Sequence, residues 1–138
     1  MDDEGRMRAR FWMFQGSPGL DLLDERGMIR WRASVRSDGS PNLTLLDEKG
    51  KLRWTAVVHS DGAPCLSLWD EKARIRWHAA VENDGAPSLS LRDRNGAGRA
   101  ILGATSLTDP TTGVETSFPE NTLLLYGPDG KILERLPR

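Results

Sequence analysis

The chain has 138 residues and a net charge of −1, because 19 lysines and arginines nearly balance 20 aspartates and glutamates. This balance lacks the basic excess of proteins that bind nucleic acid or anionic membranes, so neither partner is expected. No apolar run approaches the about 18 residues of a transmembrane helix, so no membrane insertion is expected. The acidic residues 1–4 show no signal peptide, which leaves the compartment open between the extracellular space, a virion and the cytoplasm.

The strongest feature of the sequence is a 23-residue internal repeat, preceded by half a repeat. The half-repeat covers residues 2–15, where Asp2 and Arg8 match Asp24 and Arg30 of the first complete repeat. Four complete repeats follow over residues 16–38, 39–61, 62–84 and 85–105. The repeats share a glycine, two leucines, an aspartate and an arginine at fixed positions, among them Gly16, Gly39, Gly62 and Gly85, and Leu20, Leu43, Leu66 and Leu89. Such self-similarity predicts an array of similar small structural units.

Residues 106–121 interrupt the repeat, and residues 122–138 resume it in degraded form. The interruption is rich in Thr, Ser, Pro and Gly, which predicts one long loop. After it, Leu123 and Leu125 match Leu89 and Leu91 at a spacing of 34 residues instead of 23. The chain, residues 1–138, is therefore expected to be a single repeat domain with atypical terminal units as caps.

Each repeat is predicted to form a hairpin of two short strands. In the first repeat, residues 18–23 and 29–35 both alternate apolar and polar side chains. Between them, Asp24 suits the first position of a type I turn, and Gly27 supplies the positive φ that follows. No segment is suited to a helix of normal length. The predicted fold is all-β, an antiparallel meander of about eleven short strands.

One side of this sheet is predicted to be apolar. Ile29, Trp31, Ala33 and Val35 share a side because side chains alternate along a strand. The leucines of the first strand are placed on the same side, although a bulged turn after Asp24 would favour an odd loop and the opposite grouping. The structural core is accordingly predicted to contain a repeated set of tryptophans and leucines: Trp31, Trp54, Trp77, Leu22, Leu45, Leu68 and Leu91.

An apolar face of this size must be covered from water. A closed barrel with the tryptophans inside would cover it. An oligomeric prism or solenoid-like array, in which copies of the chain cover one another, would do so as well. The short strands favour the array, so the expected partner is the chain itself, as a homo-oligomer with the trimer as one candidate.

Two sets of residues are candidates for an interface or a ligand site. Arg30, Arg53 and Arg76 each follow a turn aspartate by six residues, which suits either a turn-stabilising ion pair or a charged pocket. Trp12, Phe14 and Trp69 point away from the principal apolar face by parity, and exposed aromatics are typical of subunit interfaces.

No catalytic, metal-binding or cofactor-binding residues are predicted. His59 and His78 occupy different positions in the repeat, and no catalytic order or metal-ligand spacing links them to each other or to Cys65. Cys65 is the only cysteine, so an intrachain disulfide is excluded. An enzyme is therefore not expected.

The pattern Asp-Gly-x-Pro-x-Leu-x-Leu-x-Asp-x-x-Gly-x-x-Arg over residues 38–53 resembles tandem repeats of uncharacterised bacterial proteins, which are often predicted as extracellular or fibre-like β arrays. The resemblance implies an architecture and no activity. The leading hypothesis is a non-enzymatic structural or assembly protein whose β repeats self-associate, such as a fibre, appendage, shell or phage-like decoration component. The alternative is a carbohydrate-binding repeat module with Trp and Arg sites, and glycans are then the partners.

Overall fold

The computed structural model describes residues 1–103, 105–108, 114–119 and 122–137, and every secondary-structure element in them is a strand. No helix in this part of the chain is long and apolar enough to cross a membrane. The strands are β1 (Ala9–Phe14), β2 (Ser17–Leu23), β3 (Ile29–Val35), β4 (Pro41–Leu46), β5 (Leu52–Val58), β6 (Pro64–Trp69), β7 (Ile75–Val81), β8 (Pro87–Arg92), β9 (Gly98–Gly103), β10 (Thr105–Thr108), β11 (Glu115–Phe118), β12 (Leu123–Tyr126) and β13 (Ile132–Leu136).

Eleven of the strands form one antiparallel sheet in the order β1-β2-β3-β4-β5-β6-β7-β8-β9-β12-β13. The prediction of an all-β meander of about eleven strands is therefore confirmed. The alternative of a closed barrel is wrong, because β1 and β13 are the two ends of this order. Eleven alternating strands leave β1 and β13 running in the same direction, so their pairing could not continue the antiparallel pattern.

The chain divides into two compact units, Met1–Arg74 and Ile75–Arg138, which we call the N-terminal half and the C-terminal half. The N-terminal half contains β1 to β6, and the C-terminal half contains β7 to β13. The half-repeat, the first two complete repeats and the first strand of the third therefore belong to the N-terminal half.

The hairpin turns satisfy two sequence signals that conflicted: the grouping of leucines with tryptophans on one side, and the bulged turn predicted after Asp24. In the β2–β3 hairpin, Leu22 pairs with Trp31, so the leucines and tryptophans share a side as expected. The turn after Asp24 is nevertheless bulged: Gly27 has a φ of 76° and donates its N–H to the Asp24 carbonyl at 3.0 Å. The register shifts by one residue between Leu22 and Leu23. This bulge absorbs the extra loop residue and keeps the apolar side chains together.

The predicted long loop over residues 106–121 contains regular structure. β10 and β11 pair as a separate two-stranded antiparallel sheet, with the Ser106 and Ser117 hydroxyls 3.0 Å apart. The expectation of one continuous loop is corrected to this extent, because β-branched and hydroxyl side chains in the insertion suit a short polar ladder. Residues 109–113 and 120–121 of the expected loop lie outside the described residues.

Few apolar side chains are buried within a single chain. Among the described residues, only Ala86, Phe118 and Leu124 are apolar and buried, and all three lie in the C-terminal half. The chain exposes 9256 Å². A compact monomer of 15.3 kDa would expose about 7,100 Å². The chain thus exposes roughly 2,100 Å² more than such a monomer.

Candidate functional site

The N-terminal half carries an uninterrupted apolar face made of cross-strand rows. One row runs through directly paired residues and alternates leucine with tryptophan: Leu22, Trp31, Leu45, Trp54 and Leu68. The neighbouring row begins with Phe11 and then alternates leucine with alanine: Leu20, Ala33, Leu43, Ala56 and Leu66. A third set of pairs flanks these rows with Met13–Pro18, Val35–Pro41 and Val58–Pro64. These residues are the apolar face of the N-terminal half, and none of them carries a polar side chain.

The apolar face is exposed in the single chain. Phe11 is 86% exposed, Met13 70% and Leu22 43%, and Leu45, Leu66 and Leu68 are also exposed. Trp31 and Trp54 are half-buried between their leucine neighbours. The predicted core residues of this half therefore line a surface, and they can form a core only when something covers that surface.

The C-terminal half repeats the pattern with one interruption. Trp77 pairs with Leu91, and the row continues through Ala100 and Leu125 to Glu134 on β13. Leu91 and Leu125 are exposed, whereas Trp77 is half-buried. The predicted core residues Trp77 and Leu91 thus line a surface, as their counterparts in the other half do. A carboxylate, however, ends this row at the strand β13.

The opposite side of the N-terminal half carries an ion cluster around the buried Asp21, which sequence analysis did not identify. Arg10, Asp21 and Arg32 are paired neighbours on β1, β2 and β3. Arg32 Nε lies 2.7 Å from Asp21 Oδ1, and Arg10 Nη2 lies 2.8 Å from Asp21 Oδ2. Asp21 is fully buried, and burial by itself would raise the pKa of its carboxyl. The hydrogen bonds from Arg32 and Arg10 outweigh burial and lower that pKa to about 2.

Trp12 packs beside this cluster over a glycine. A Cβ atom on Gly19 would lie 2.2 Å from Trp12 Cζ2, so the indole occupies the space of a side chain. The Arg32 guanidinium lies over the same ring, 5.1 Å from its centroid. The other repeats carry Asn42, Cys65 and Ser88 where the first has Gly19. The half-buried Trp12 therefore has a packing role within the chain.

The other two aromatic candidates have different surroundings. Trp69 is half-buried, and its Nε1 lies 3.4 Å from Thr55 Oγ1 on the side opposite the apolar face. Phe14 is mostly exposed at the end of β1, next to the Gln15–Gly16 turn. Trp12, Phe14 and Trp69 are thus not brought together with Trp31 and Trp54. Their assignment to an interface stays a prediction.

The turn aspartates and the arginines of the repeat meet as ion pairs. Arg53 Nε lies 2.8 Å from Asp47 Oδ2, and Arg30 Nη1 lies 3.5 Å from Asp24 Oδ2. Arg99 pairs with Asp93 in the same way in the C-terminal half. In the third repeat, Asp70 Oδ2 accepts a hydrogen bond from Nε of Arg74 at 3.2 Å, and Arg76 lies on β7.

Each turn aspartate also organises the backbone of its turn. Asp24 Oδ1 accepts the N–H groups of Arg26 at 2.9 Å and Met28 at 3.0 Å. The Met28 hydrogen bond is the largest of the interactions that lower the pKa of Asp24. Arg30 Nε in addition donates to the Leu46 carbonyl at 3.0 Å, which links one hairpin to the next. The arrangement stabilises the array and leaves the aspartate and arginine engaged with each other.

A cysteine and a histidine, two residue types that often act in catalysis, lie near each other at one turn. Cys65 Sγ lies 3.4 Å from His59 Nε2. Burial raises the pKa of the Cys65 thiol, which disfavours the nucleophilic thiolate. Within the part of the chain that the structure describes, no three His, Cys, Asp or Glu residues are placed to hold a metal ion.

Comparison with protein-family models and curated proteins identifies no relative of the chain. No protein-family model matches it, and no curated protein matches it either.

Proposed function

We propose that the protein is a non-enzymatic assembly protein whose β repeats self-associate through the apolar face. The occupant of the face is the same face of a second copy, packed sheet against sheet at the about 10 Å spacing of β-sandwiches. The single observation that carries the proposal is the row Leu22, Trp31, Leu45, Trp54 and Leu68, which is continuous, apolar and uncovered.

The composition of the face favours a second copy over other occupants. Rows of large Trp and Leu side chains lie beside a row that contains Ala33 and Ala56, so two identical faces can interdigitate. No charge on these rows would steer a charged partner. The surface that the chain exposes beyond that of a compact monomer, roughly 2,100 Å², exceeds the about 800 Å² that each partner contributes to a standard interface.

The carbohydrate-binding alternative finds less support. Sugar recognition combines an aromatic platform with hydrogen-bond partners for hydroxyl groups, and the rows around Trp31 and Trp54 in the N-terminal half consist of apolar side chains. Arg30 and Arg53, which that alternative requires, are already paired with Asp24 and Asp47.

The proposal is tested by placing charge on the apolar face and measuring the solution mass. The double variant Leu45→Lys/Leu68→Lys should lower the solution mass, measured by light scattering across a hundredfold dilution, while each chain stays folded. The control is Val114→Lys, which changes an exposed apolar residue outside the eleven-stranded sheet and should leave the mass unchanged. A wild-type chain that stays monomeric at every concentration would overturn the proposal.

A further inference from the structure

The free edge of β1 is a second surface for self-association. Among the described strands, β1 pairs with β2 alone, and Phe11 and Met13 are its most exposed large apolar residues. We propose that β1 pairs with β1 of a second copy, antiparallel about a two-fold axis, with Phe11 facing Phe11 of the partner. This inference deepens the proposed self-association, because it names a second contact, between each chain and another copy.

The hydrogen-bond pattern of β1 shows which backbone groups are available. Leu23 donates its N–H to the Arg8 carbonyl at 2.8 Å, so Arg8 and Leu23 are a hydrogen-bonded pair. Hydrogen-bonded pairs alternate along an antiparallel ladder, and Arg10, Trp12 and Phe14 therefore also direct their backbone groups towards β2. The N–H and C=O groups of Ala9, Phe11 and Met13 point to the free edge.

These outward groups are self-complementary in one register. When Phe11 faces its own copy, Ala9 faces Met13 of the partner, and Met13 faces Ala9 of the partner. All outward groups of both strands are then paired, in about six hydrogen bonds. Centring the pair on Trp12 instead would place Ala9 opposite Gln15 of the partner, which lies beyond the strand in a turn with a φ of 49°.

The side chains of β1 suit this pairing better than those of the other edge strand. Ala9 and Phe11 pair with Leu22 and Leu20 of the apolar face, so the edge continues that face without charge. On β13, Glu134 ends the corresponding row, and a charge placed there discourages edge-to-edge pairing. If β1 paired with β13 of another copy, with both apolar faces on the same side, the two strands would be parallel, because β1 and β13 run in the same direction. The rest of the sheet is antiparallel.

The consequence is a closed assembly with two different contacts. A two-fold axis normal to the sheet joins two copies edge to edge and leaves both apolar faces on one side. Packing of two such pairs face to face gives a tetramer with dihedral symmetry, in which each contact is isologous.

The register predicts which single cysteine can crosslink the edge. In a Cys65→Ser background, Phe11→Cys places two thiols on residues whose Cα atoms are about 5.5 Å apart, within the range of a disulfide. The matched control is Met13→Cys, which is similarly exposed but lies about 14 Å from its own copy in this register. Under mild oxidation, Phe11→Cys should form the disulfide-linked dimer about tenfold faster than Met13→Cys or more.

Equal rates for Phe11→Cys and Met13→Cys, or a disulfide from neither, would overturn the edge pairing. Adding Leu45→Lys/Leu68→Lys to the Phe11→Cys chain separates this result from the proposed function. The disulfide should still form in that chain, because the edge contact does not use the face. If the crosslink is specific to Phe11 while the lysine variants keep the wild-type mass, the edge pairing stands and the apolar-face proposal fails.

Discussion

Asp21 and Arg32 form a bidentate ion pair in which the carboxylate is fully buried. Arg32 Nε lies 2.7 Å from Asp21 Oδ1, and Arg32 Nη2 lies 3.0 Å from Asp21 Oδ2. Arg10 donates to the same carboxylate from β1 at 2.9 Å. One aspartate therefore ties three strands together and fastens the edge strand β1 to the sheet. The edge contact that we propose depends on this attachment.

Replacing Asp21 with asparagine should destabilise the N-terminal half. Asp21→Asn leaves Arg10 and Arg32 without their buried counter-charge, and we expect the free energy of unfolding in urea to fall by about 1–3 kcal/mol. The control is Asp129→Asn, because Asp129 forms a solvent-exposed pair with Lys131 at 3.7 Å and should change stability by less than about 0.5 kcal/mol. Equal effects of the two substitutions would contradict the role assigned to Asp21.

The same aspartate should make the fold sensitive to acid. Its pKa lies at about 2, below the ordinary value of 3.8, so the folded state binds the proton less readily than the unfolded state. The stability that this difference contributes is present above about pH 4 and is lost as the pH falls through about 2. Wild-type Tm should therefore fall more steeply between pH 4 and pH 2 than the Tm of Asp21→Asn. Parallel curves for the two proteins would show that Asp21 is not responsible.

A methyl group at residue 19 should displace Trp12. Gly19→Ala places a Cβ at 2.2 Å from the indole, which must move out of its position under Arg32. Overpacking of this kind costs about 1–3 kcal/mol, and we expect a matching loss in urea unfolding together with a change in Trp fluorescence. In a Trp12→Ala background, adding Gly19→Ala should cause no further fall in the free energy of unfolding, because the indole that the new methyl group would contact is absent. A loss that persists there would place its cause elsewhere.

The two sides of the sheet should respond differently to loss of a tryptophan. Trp54→Ala removes a central side chain of the apolar face and should raise the dissociation constant of the assembly by about tenfold or more, measured by sedimentation. Trp69→Ala removes an indole from the opposite side, where it contacts Thr55, and should leave that constant within about threefold of wild type. If Trp69→Ala dissociates the assembly and Trp54→Ala does not, the interface lies on the side opposite the apolar face.

Much of the architecture was predictable because the same residue pattern recurs in each of the four complete repeats. The pairing of Leu22 with Trp31 follows from alternation, and the same pairing recurs for Leu45 and Trp54. The turn ion pairs were predictable as well, since Asp47 and Arg53 keep a constant spacing that faces them across a turn. The bulge in the turn after Asp24 was harder to predict. It inserts one extra residue into the hairpin and still keeps Leu22 and Trp31 on the same side of the sheet.

The features that prediction missed are those that occur once. Asp21 stands where the other repeats have Thr44, Ser67 and Ser90, so the repeat pattern gives no reason to single it out. The sequence signal that could have identified it was this departure from the repeat at Asp21, together with the arginines at residues 10 and 32 on the neighbouring predicted strands. Phe11 and Met13 were likewise overlooked, although they match Ala33 and Val35 and are the more exposed members of those positions.

The sequence by itself determined the strands, their turns and the side of the sheet that each side chain occupies, because these depend on alternation and on residues near one another along the chain. Only the tertiary structure decided that the eleven-stranded order stays open, that the insertion forms β10 and β11, and that Asp21 is buried between two arginines. Those outcomes depend on which strands meet across the sheet. Closure and burial are properties of the whole set of strand pairings, which a local pattern does not contain.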